Sequence, residues 1–357
     1  DKSCDMLAVF FGAVMAGCFY TMIEPTHPND RINSIISTLE AGLIVTNDDN
    51  RTKLDKLEFN GAVLDMHELL AHEPSEEELK KLESVRRDGL DIDPLYAIFT
   101  SGSTGVPKGV IVNHRSVIDF IDEFTTVFDI TDKDIIGNQA PFDFDVSVKD
   151  IYSAMKVGAT LQIIPKQMFS FPVKLLDYLD DNKVTTLIWA VSALCIITTF
   201  KGFSYKIPKT INKVIFSGEV MPIKHLNEWR KAYPDAMFVN VYGPTEITCN
   251  CTYYIVDRHS AMREFSCLMM MTSLSLKIWL ALMVRYACQE QQLQLDIITT
   301  RKRQHRHLYR ILSMINILRL YTGQETLHIT MKRDFYVSLQ EKISRLSIWD
   351  TGLSLQK

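Results

Sequence analysis

The sequence predicts an α/β fold in which mainly parallel sheets are flanked by helices. Helix-like and strand-like segments alternate through residues 1–60, and this alternation favours parallel strands covered by helices. Three later apolar strands, within 185–194, 213–222 and 237–248, each run into small or polar residues. In open α/β sheets, ligands bind beyond the carboxyl ends of such strands. The 357 residues are enough for a large core and about two domains.

The apolar N-terminal stretch predicts a buried helix followed by a strand. Residues 6–17 have helical apolar spacing, residues 18–23 are strand-like, and Glu24-Pro25 ends the stretch. Interrupting glycines and the lack of a preceding basic segment disfavour a membrane span and a signal peptide. Because the chain opens on Asp1 and enters this stretch directly, we expect the domain to begin further upstream.

The next segments continue the α/β pattern. Residues 31–42 predict an amphipathic helix with Gly42 as its C-cap, and residues 43–47 predict a buried strand. The charged residues 73–89 predict a solvated helix or linker, and Ser116 is the predicted N-cap of a later apolar helix. The seven cysteines form no CxxC pair and no metal-ligating spacing. We therefore expect reduced core thiols in a cytoplasmic protein.

The most distinctive segment is the loop 100–110, which reads TSGSTGVPKGV between two strand-like runs. Its glycines allow the backbone to approach an anion, its hydroxyls can donate to phosphate oxygens, and Lys108 adds a positive charge. It differs from the P-loop of kinases because Pro107 and Gly109 flank the lysine, and the proline disfavours a helix there. An ordinary Ser/Gly hairpin loop is the alternative. We interpret the segment as a phosphate-binding loop.

Two further segments offer ligand-binding side chains. In PFDFDVS at 141–147, phenylalanines alternate with Asp143 and Asp145, as in a strand with a carboxylate facing away from the aromatics. Such a carboxylate suits a ligand ammonium group, but capping is the commoner role of Asp, and the residues alone favour it. Trp189 either packs in the core or lines an acyl pocket.

The segment after the last of the three strands reads YGPTEIT. Gly243-Pro244 predicts a tight turn, Tyr242 offers a flat face for a base, Thr245 a hydroxyl, and Glu246 a carboxylate for a metal. We expect phosphates to be held between this turn and the lysine loop.

Together these motifs resemble the adenylate-forming enzymes, and specifically the amino-acid adenylation domains. TSGSTGVPKGV, FSGEVMP and NVYGPTE occur in the family's order, and AGCFYTMIEPTHPNDRI is similar to the family's AGxxYxPxDPxxPxxRI. The group includes D-alanine carrier-protein ligases and the adenylation domains of peptide synthetases. The resemblance covers residues 1–258 and implies a partial large N-terminal subdomain of such an enzyme.

The resemblance also implies a role for each motif residue. Gly218 and Glu219 border the adenine, Tyr242 stacks on it with Gly243 in the turn beside it, Thr245 contacts the α-phosphate, and Glu246 helps to bind Mg²⁺. Asp145 pairs with the substrate's α-amino group, which replaces the capping interpretation. The residues implied to hold the ATP phosphates are Thr100, Ser101, Gly102, Ser103, Thr104, Gly105 and Lys108.

The implied chemistry has two steps. A substrate carboxylate attacks the α-phosphate of ATP to give an acyl-adenylate and pyrophosphate, with Mg²⁺ and cationic groups stabilising the charge. The acyl group then passes to the phosphopantetheine thiol of a carrier protein. Asp145 favours an amino acid over a fatty or aryl acid. D-alanine is the leading candidate, although Ser217 stands where D-alanyl ligases commonly carry Cys.

Residues 259–357 do not fit this pattern. They contain no proline, only two glycines, and 14 Lys+Arg against 7 Asp+Glu. The basic run RKRQHRH at 301–307 is typical of a nucleic-acid patch. However, codons read from their third base permit YYNNPEKT across 296–304, VYRTGD across 320–326 and IKHMGYRIEL across 345–355. These strings resemble later family motifs in their correct order.

We therefore predict a frameshift between Val256 and Cys267, with 259–357 an unassignable, out-of-frame tail. The tail then indicates neither a nucleic-acid partner nor a membrane helix. Since the ribose-binding aspartate of YRTGD and the C-terminal lysine of the family are absent as written, we expect impaired activity. The alternative is a non-catalytic nucleotide- or carrier-binding remnant, which amino-acid-dependent pyrophosphate exchange would distinguish.

The frameshift has a direct test. Sequencing the gene across codons 250–275 from independent templates should reveal an overlapping second frame that encodes the three family-like strings. A single error-free frame whose alternative frames lack these strings would contradict the prediction.

Overall fold

The structure is a computed structural model that describes residues 2–100 and 107–256, and the backbone of 268–269. All of them fall within one unit, Asp1–Leu282. The helices are α1 (Cys4–Met15), α2 (Asn29–Leu39), α3 (Asp48–Leu54), α4 (Met66–Ala71), α5 (Glu76–Asp88), α6 (His114–Val127), α7 (Val146–Val157), α8 (Pro172–Asp181), α9 (Val191–Thr199), α10 (Gly202–Tyr205) and α11 (Ile223–Ala232). The strands are β1 (Leu43–Thr46), β2 (Ala62–Asp65), β3 (Pro94–Thr100), β4 (Lys108–Asn113), β5 (Ile135–Asn138), β6 (Thr160–Ile163), β7 (Thr186–Ala190), β8 (Lys213–Ser217), β9 (Met237–Tyr242), β10 (Thr252–Ile255) and β11 (Leu268–Met269).

The main sheet has the strand order β11-β10-β9-β8-β7-β5-β6. Its five strands from β6 to β9 are parallel, whereas β10 and β11 add antiparallel pairings at one edge. Two smaller sheets pair β1 with β2 in parallel and β3 with β4 in antiparallel orientation. The predicted α/β class with a mainly parallel sheet is confirmed.

Both faces of the main sheet are covered because successive strand residues point to opposite sides. Leu187, Trp189 and Phe216 belong to one buried cluster, which includes residues of α8, α9 and α11. Ile188 and Ile215 belong to a second cluster with residues of α6 and α7. The helices therefore bury the two faces of strands β7 and β8.

A buried carboxylate fixes the strands at the opposite end from the predicted site. Asp134 is 3% exposed and accepts hydrogen bonds from the Thr186 hydroxyl at 2.6 Å and from the Lys213 ammonium at 2.8 Å. Burial acts to raise the pKa of Asp134, but these hydrogen bonds outweigh burial and hold it below the usual value. Because Asp134 precedes β5 while its two partners begin β7 and β8, it ties the amino ends of three strands together.

Several local expectations for the N-terminal half are wrong. Helix α1 spans Cys4–Met15 instead of the predicted 6–17, and Phe10 is its one buried residue. The strand predicted at 18–23 is reduced to an isolated bridge from Tyr20 to Tyr96. Helix α2 ends at Glu40 in a left-handed conformation (φ 49°), two residues before the predicted Gly42 cap. Strand β1 is present but not fully buried, since Leu43 is 50% exposed.

Two capping and turn expectations also change. The N-cap of α6 is Asn113, whose side chain accepts from the Ser116 amide at 2.8 Å, so Ser116 lies inside the helix. Residues 141–145 form a turn instead of a strand, closed by a hydrogen bond from the Phe144 amide to the Pro141 carbonyl at 3.2 Å.

Two findings bear on the chain's environment. Among the described cysteines, only Cys249 and Cys251 are core residues, whereas Cys4 and Cys18 are exposed. Within the described residues, no helix combines the length and apolar character required to cross a membrane.

The charged segment predicted as a solvated helix or linker is helix α5, which begins with a capping box between Ser75 and Glu78.

Asp150 is a fully buried carboxyl group on α7. One of its oxygens accepts from the Asn138 amide at 2.6 Å, and the other has no hydrogen-bond partner among the described residues. Burial raises its pKa from 3.8 to about 7, although Asn138, Lys149 and Lys2 oppose this shift. The unfolded chain therefore releases this proton at lower pH than the folded chain does. As a result, Asp150 costs increasing stability as the pH rises from about 4 to 7.

We predict that Asp150→Asn removes this cost. The variant keeps an acceptor for Asn138, so its free energy of unfolding relative to wild type should rise between pH 4 and 7. The rise should be on the order of a few kcal/mol, and the difference should then level off. Urea unfolding across this pH range measures it. Asp177→Asn should give a nearly constant difference across this range, because the hydrogen bond with Lys206 lowers the pKa of Asp177 and its contribution changes only below the unfolded value of 3.8. A pH-independent difference for Asp150→Asn would contradict the prediction.

Candidate active site

The predicted site residues lie along the carboxyl edge of the main sheet. Parallel strands β7, β8 and β9 end at Ala190, Ser217 and Tyr242, so the segments that follow them leave the same edge. Strand β5 is parallel to β7, and the turn after it reaches Asp145 at this edge too. The topology therefore brings together motifs that are far apart in sequence.

The predicted phosphate loop connects β3 and β4. Thr100 pairs with Lys108 across this hairpin, so the two ends of the loop are adjacent. Lys108 is exposed and opens a strand instead of a helix, as Pro107 predicts. The other residues predicted to hold phosphates lie outside the described residues: Ser101, Gly102, Ser103, Thr104 and Gly105.

The turn after β9 lies against the same hairpin. Thr245–Ile247 forms a 3-10 helix that contacts β4, the strand that begins with Lys108. Glu246 is exposed and has no hydrogen-bond or ion-pair partner in the part of the chain that the structure describes. The predicted proximity of the lysine strand and this turn is present.

The residues predicted to border the adenine base lie at the ends of β8 and β9. The side chain of Tyr242 is 67% exposed, so its ring face is available for stacking. Gly218 has a φ of +93°, which favours glycine, and a Cβ there would meet no atom within 4 Å. Glu219 follows it in the same exposed segment. Both Gly218 and Tyr242 are therefore accessible, and they follow or end the neighbouring strands β8 and β9.

Asp145 occupies the N-cap position of α7 but does not cap the helix. Its side chain makes no capping hydrogen bond. Burial raises its pKa, while a hydrogen bond from the Thr245 side chain and the charge of Lys149 act in the opposite direction. Capping, the role that the residues alone favoured, is therefore wrong. The carboxylate is instead directed toward the turn that follows β9.

Trp189 is located in the core. Its side chain has no exposed surface, its indole N–H donates to the Gly137 carbonyl at 2.7 Å, and its ring meets that of Phe169 edge to face. This position corresponds to the core alternative. The assignment of Trp189 to substrate contact is therefore corrected.

Three residues around Asp145 were not singled out for the site from the sequence. The Cys249 thiol donates to the Asp145 carbonyl at 3.0 Å, and the Lys149 ammonium donates to the Asn250 side-chain oxygen at 2.7 Å. Only one signal pointed to any of them: Lys149 follows Asp145 by four residues, the spacing that places side chains on one helix face.

The chain matches one protein family and is similar to known proteins that agree with it. The profile described as "AMP-binding enzyme" matches residues 1–278, beyond the expected limit of 258. The chain is 30% identical over 261 residues to an L-proline--[L-prolyl-carrier protein] ligase of Pseudomonas fluorescens, covering 71% of this chain and 51% of that protein. It is 29% identical over 247 residues to a D-alanine--D-alanyl carrier protein ligase of Staphylococcus haemolyticus, covering 69% of this chain and 49% of that protein.

Solved structures share the fold. A crystal structure of the nonribosomal peptide synthetase FmoA3, in its α-methyl-L-serine-AMP bound form, superimposes with a TM-score of 0.61 at 23% identity. The match covers 75% of this chain and 29% of that one. At this identity it establishes the architecture alone. The chain spans about half the length of the two carrier-protein ligases it matches.

We predict that Gly243 cannot accept a side chain. A Cβ there would lie 2.5 Å from the Asn250 Cα and 2.7 Å from the Cys249 carbonyl oxygen, both backbone atoms. Gly243→Ala should lower the free energy of unfolding by about 1–3 kcal/mol in urea titration. The matched control is Gly12→Ala in α1, where a Cβ meets nothing within 4 Å and a gain of about 0.5–1 kcal/mol is expected. Equal effects of the two variants would contradict the close approach.

Proposed function

The chain belongs to the AMP-binding enzyme family, and from this premise we propose that it activates an amino acid with ATP. The product is an aminoacyl-adenylate, which is destined for the phosphopantetheine thiol of a carrier protein. Carrier-protein ligases among the relatives support this reaction class. The alternative is a remnant that binds nucleotide or carrier without catalysis.

The observation that carries the proposal is the contact between Asp145 and Thr245. Asp145 is the proposed partner of the substrate ammonium group, and Thr245 is the proposed contact of the α-phosphate. The Thr245 side chain is close enough to the Asp145 carboxylate to act on its pKa, although 100 residues separate the two in sequence. An amino acid held by its ammonium group at Asp145 would therefore have its carboxylate close to a phosphate held at Thr245.

Three side chains at this edge would each bind a different part of ATP. Tyr242 offers its exposed ring to the adenine, Lys108 offers its ammonium group to the phosphates, and Thr245 offers a hydroxyl to the α-phosphate. The substrate carboxylate oxygen attacks the α-phosphorus as the bond to the bridging oxygen of the β-phosphate breaks. The electron pair of that bond leaves with pyrophosphate. The positive charge of Lys108 would stabilise the negative charge of the departing pyrophosphate.

Glu246 fits a Mg²⁺ ion that is held mainly by ATP. Mg²⁺ in proteins commonly takes one or two carboxylates and completes its shell with phosphates and water. Glu246 is exposed and unpaired within the described residues, which contain no group of three or more His, Cys, Asp or Glu suited to a metal. When bound, the ion neutralises phosphate charge.

The proposed substrate class, an amino acid, rests on Asp145. The identity of the substrate's own side chain is a separate question. The relatives include ligases for L-proline and D-alanine, so a carboxylate for an amino group is consistent with either. D-alanine is our leading candidate. Ser217 at the end of β8 is 6% exposed, so its hydroxyl adds little accessible surface to the site.

We predict that the full chain supports amino-acid-dependent exchange of pyrophosphate into ATP, at a level reduced by the tail 259–357, which we predict to be out of frame. Asp145→Asn should lower kcat/KM for the amino acid by about 30-fold or more, because a charged contact of about 2 kcal/mol or more is lost. ATP affinity should be unchanged. Isotope exchange with D-alanine, L-proline and a mixture of the other amino acids measures the reaction.

The control for this experiment is Asp143→Asn, which changes a neighbouring aspartate in the same turn to which we assign no role in the site. It should leave exchange within about twofold of wild type, a free-energy difference below about 0.5 kcal/mol. ATP binding without exchange for any amino acid would support the non-catalytic alternative. Failure to bind ATP would contradict both the activating function and the nucleotide-binding remnant.

A further inference from the structure

Lys2 is a half-buried cation bound to the carboxyl end of β5. An ammonium group has three protons to donate, and Lys2 has three acceptors. It donates to the Asn138 carbonyl at 3.1 Å, to the Asn138 side-chain oxygen at 2.7 Å and to the Gln139 carbonyl at 3.1 Å. Burial lowers the pKa of Lys2 from 10.5 to about 8, although the charge of Asp150 opposes this shift. The group therefore still carries its charge near pH 7.

Asn138 connects this ammonium group to helix α7. Its side chain has no exposed surface, and its amide nitrogen donates to the Asp150 carboxylate at 2.6 Å and to the Ala140 carbonyl at 3.3 Å. Because its side-chain oxygen accepts from Lys2, both polar atoms of the side chain have partners. Lys2, the end of β5 and the second turn of α7 thus form one hydrogen-bonded network.

The network closes the base of the segment that carries Asp145. Residues 139–145 lie between the end of β5 and the start of α7, so the bond from Asn138 to Asp150 joins the two sides of this segment. Asp145 makes no capping hydrogen bond of its own. The position of its carboxylate therefore depends on how firmly the two ends of the segment are held.

The chain after Lys2 packs along the same helix. Helix α1 follows it, and the ring of Phe11 meets the Tyr152 ring of α7 edge to face, with 6.1 Å between the centroids. The Tyr20 hydroxyl lies 3.2 Å from the Tyr152 hydroxyl, which is within hydrogen-bonding distance. Lys2 is one end of this longer contact between the N-terminal segment and α7. It is the end that bonds directly to the segment 139–145, through the Gln139 carbonyl.

We propose that Lys2 is a positioning residue that holds the segment 139–145, and with it the Asp145 carboxylate, in place for the ammonium group of the amino-acid substrate. This inference rests on the proposed function of the site. Three bonds from one charged group to two consecutive residues fix both distance and direction. An apolar side chain of equal length would allow the end of β5 to shift. Lys2 acts without contact to either substrate.

The first experiment is hydrogen–deuterium exchange of the full chain without ligands, followed by mass spectrometry. Lys2→Met keeps the length of the side chain and removes its charge and its donors. Amides within 139–148 should exchange about tenfold faster in this variant, which corresponds to about 1.4 kcal/mol of lost protection. Amides of strand 108–113 and of the turn 243–248 should change less than about twofold. A general loss of stability would raise the exchange of all three segments.

The second experiment measures exchange of pyrophosphate into ATP with the probe that is active in the wild type, which is D-alanine, L-proline or a member of the amino-acid mixture. Lys2→Met should raise the apparent KM for the amino acid by about tenfold and leave the KM for ATP within about twofold, because only the Asp145 side of the site is loosened. A merely structural role would lower kcat with the fraction of folded protein and leave both KM values unchanged.

The matched control is Lys156→Met, which removes a lysine contact from the other end of α7. Lys156 lies in the last turn of this helix and forms an ion pair with Asp122 of α6. The variant should leave the amide exchange of 139–148 and the KM for the amino acid within about twofold of wild type.

Lys2→Gln is a second variant in case Lys2→Met does not fold. Its amide keeps two donors, but it is uncharged and shorter by one bond. It should raise the exchange of 139–148 and the KM for the amino acid by about threefold, and no change in either would count against Lys2.

Three results would overturn the inference while leaving the proposed function intact. The first is unchanged amide exchange of 139–148 in the Lys2 variants, and the second is an equal rise in all three segments. The third is faster exchange of 139–148 with an unchanged KM for the amino acid. A wild-type chain that exchanges pyrophosphate with no amino acid would instead remove the proposed function and this inference together.

Discussion

The buried carboxylate of Asp134 is the constraint on which the arrangement of the site depends. It receives hydrogen bonds from Thr186 and Lys213, the first residues of β7 and β8, and it directly precedes β5. A slip of one residue in any of these strands would exchange its two faces. Because the register is fixed at the amino ends and β5, β7 and β8 have four or five residues each, their carboxyl ends lie along one edge of the sheet. The ligand-binding turns begin there.

The sequence was sufficient for the class of the fold and insufficient for many of its boundaries. Apolar strands followed by polar turns identified β7, β8 and β9, because burial on both faces leaves a continuous apolar run. The caps were missed where two residues were chemically adequate: Asn113 and Ser116 are both good N-caps, and only the packing of α6 decides between them. The end of α2 was missed for a similar reason. Glu40 is the C-cap in a left-handed conformation, although Gly42, two residues later, was the predicted C-cap.

Some residues of the proposed site could be predicted from the sequence and others could not. Glycines, Lys108 and the Tyr242–Glu246 segment could be recognised because their chemistry is local to one loop. Asp145 could not be assigned from its own neighbours, since an aspartate before a helix is normally a cap, and only its position beside Thr245 distinguishes it. The bond between Lys149 and Asn250 joins residues 101 positions apart. Such a contact exists only after the sheet has formed, so no local sequence pattern could predict it.

The proximity of the Thr245 hydroxyl to the Asp145 carboxylate also limits how the two substrates can share this edge. A hydroxyl has one proton to donate, so a Thr245 hydroxyl that donates to the carboxylate cannot donate to a phosphate oxygen as well. A substrate ammonium group at Asp145 supplies the carboxylate with other donors and releases the hydroxyl. Under the proposed function, binding of the amino acid would therefore strengthen the phosphate contact without moving the backbone.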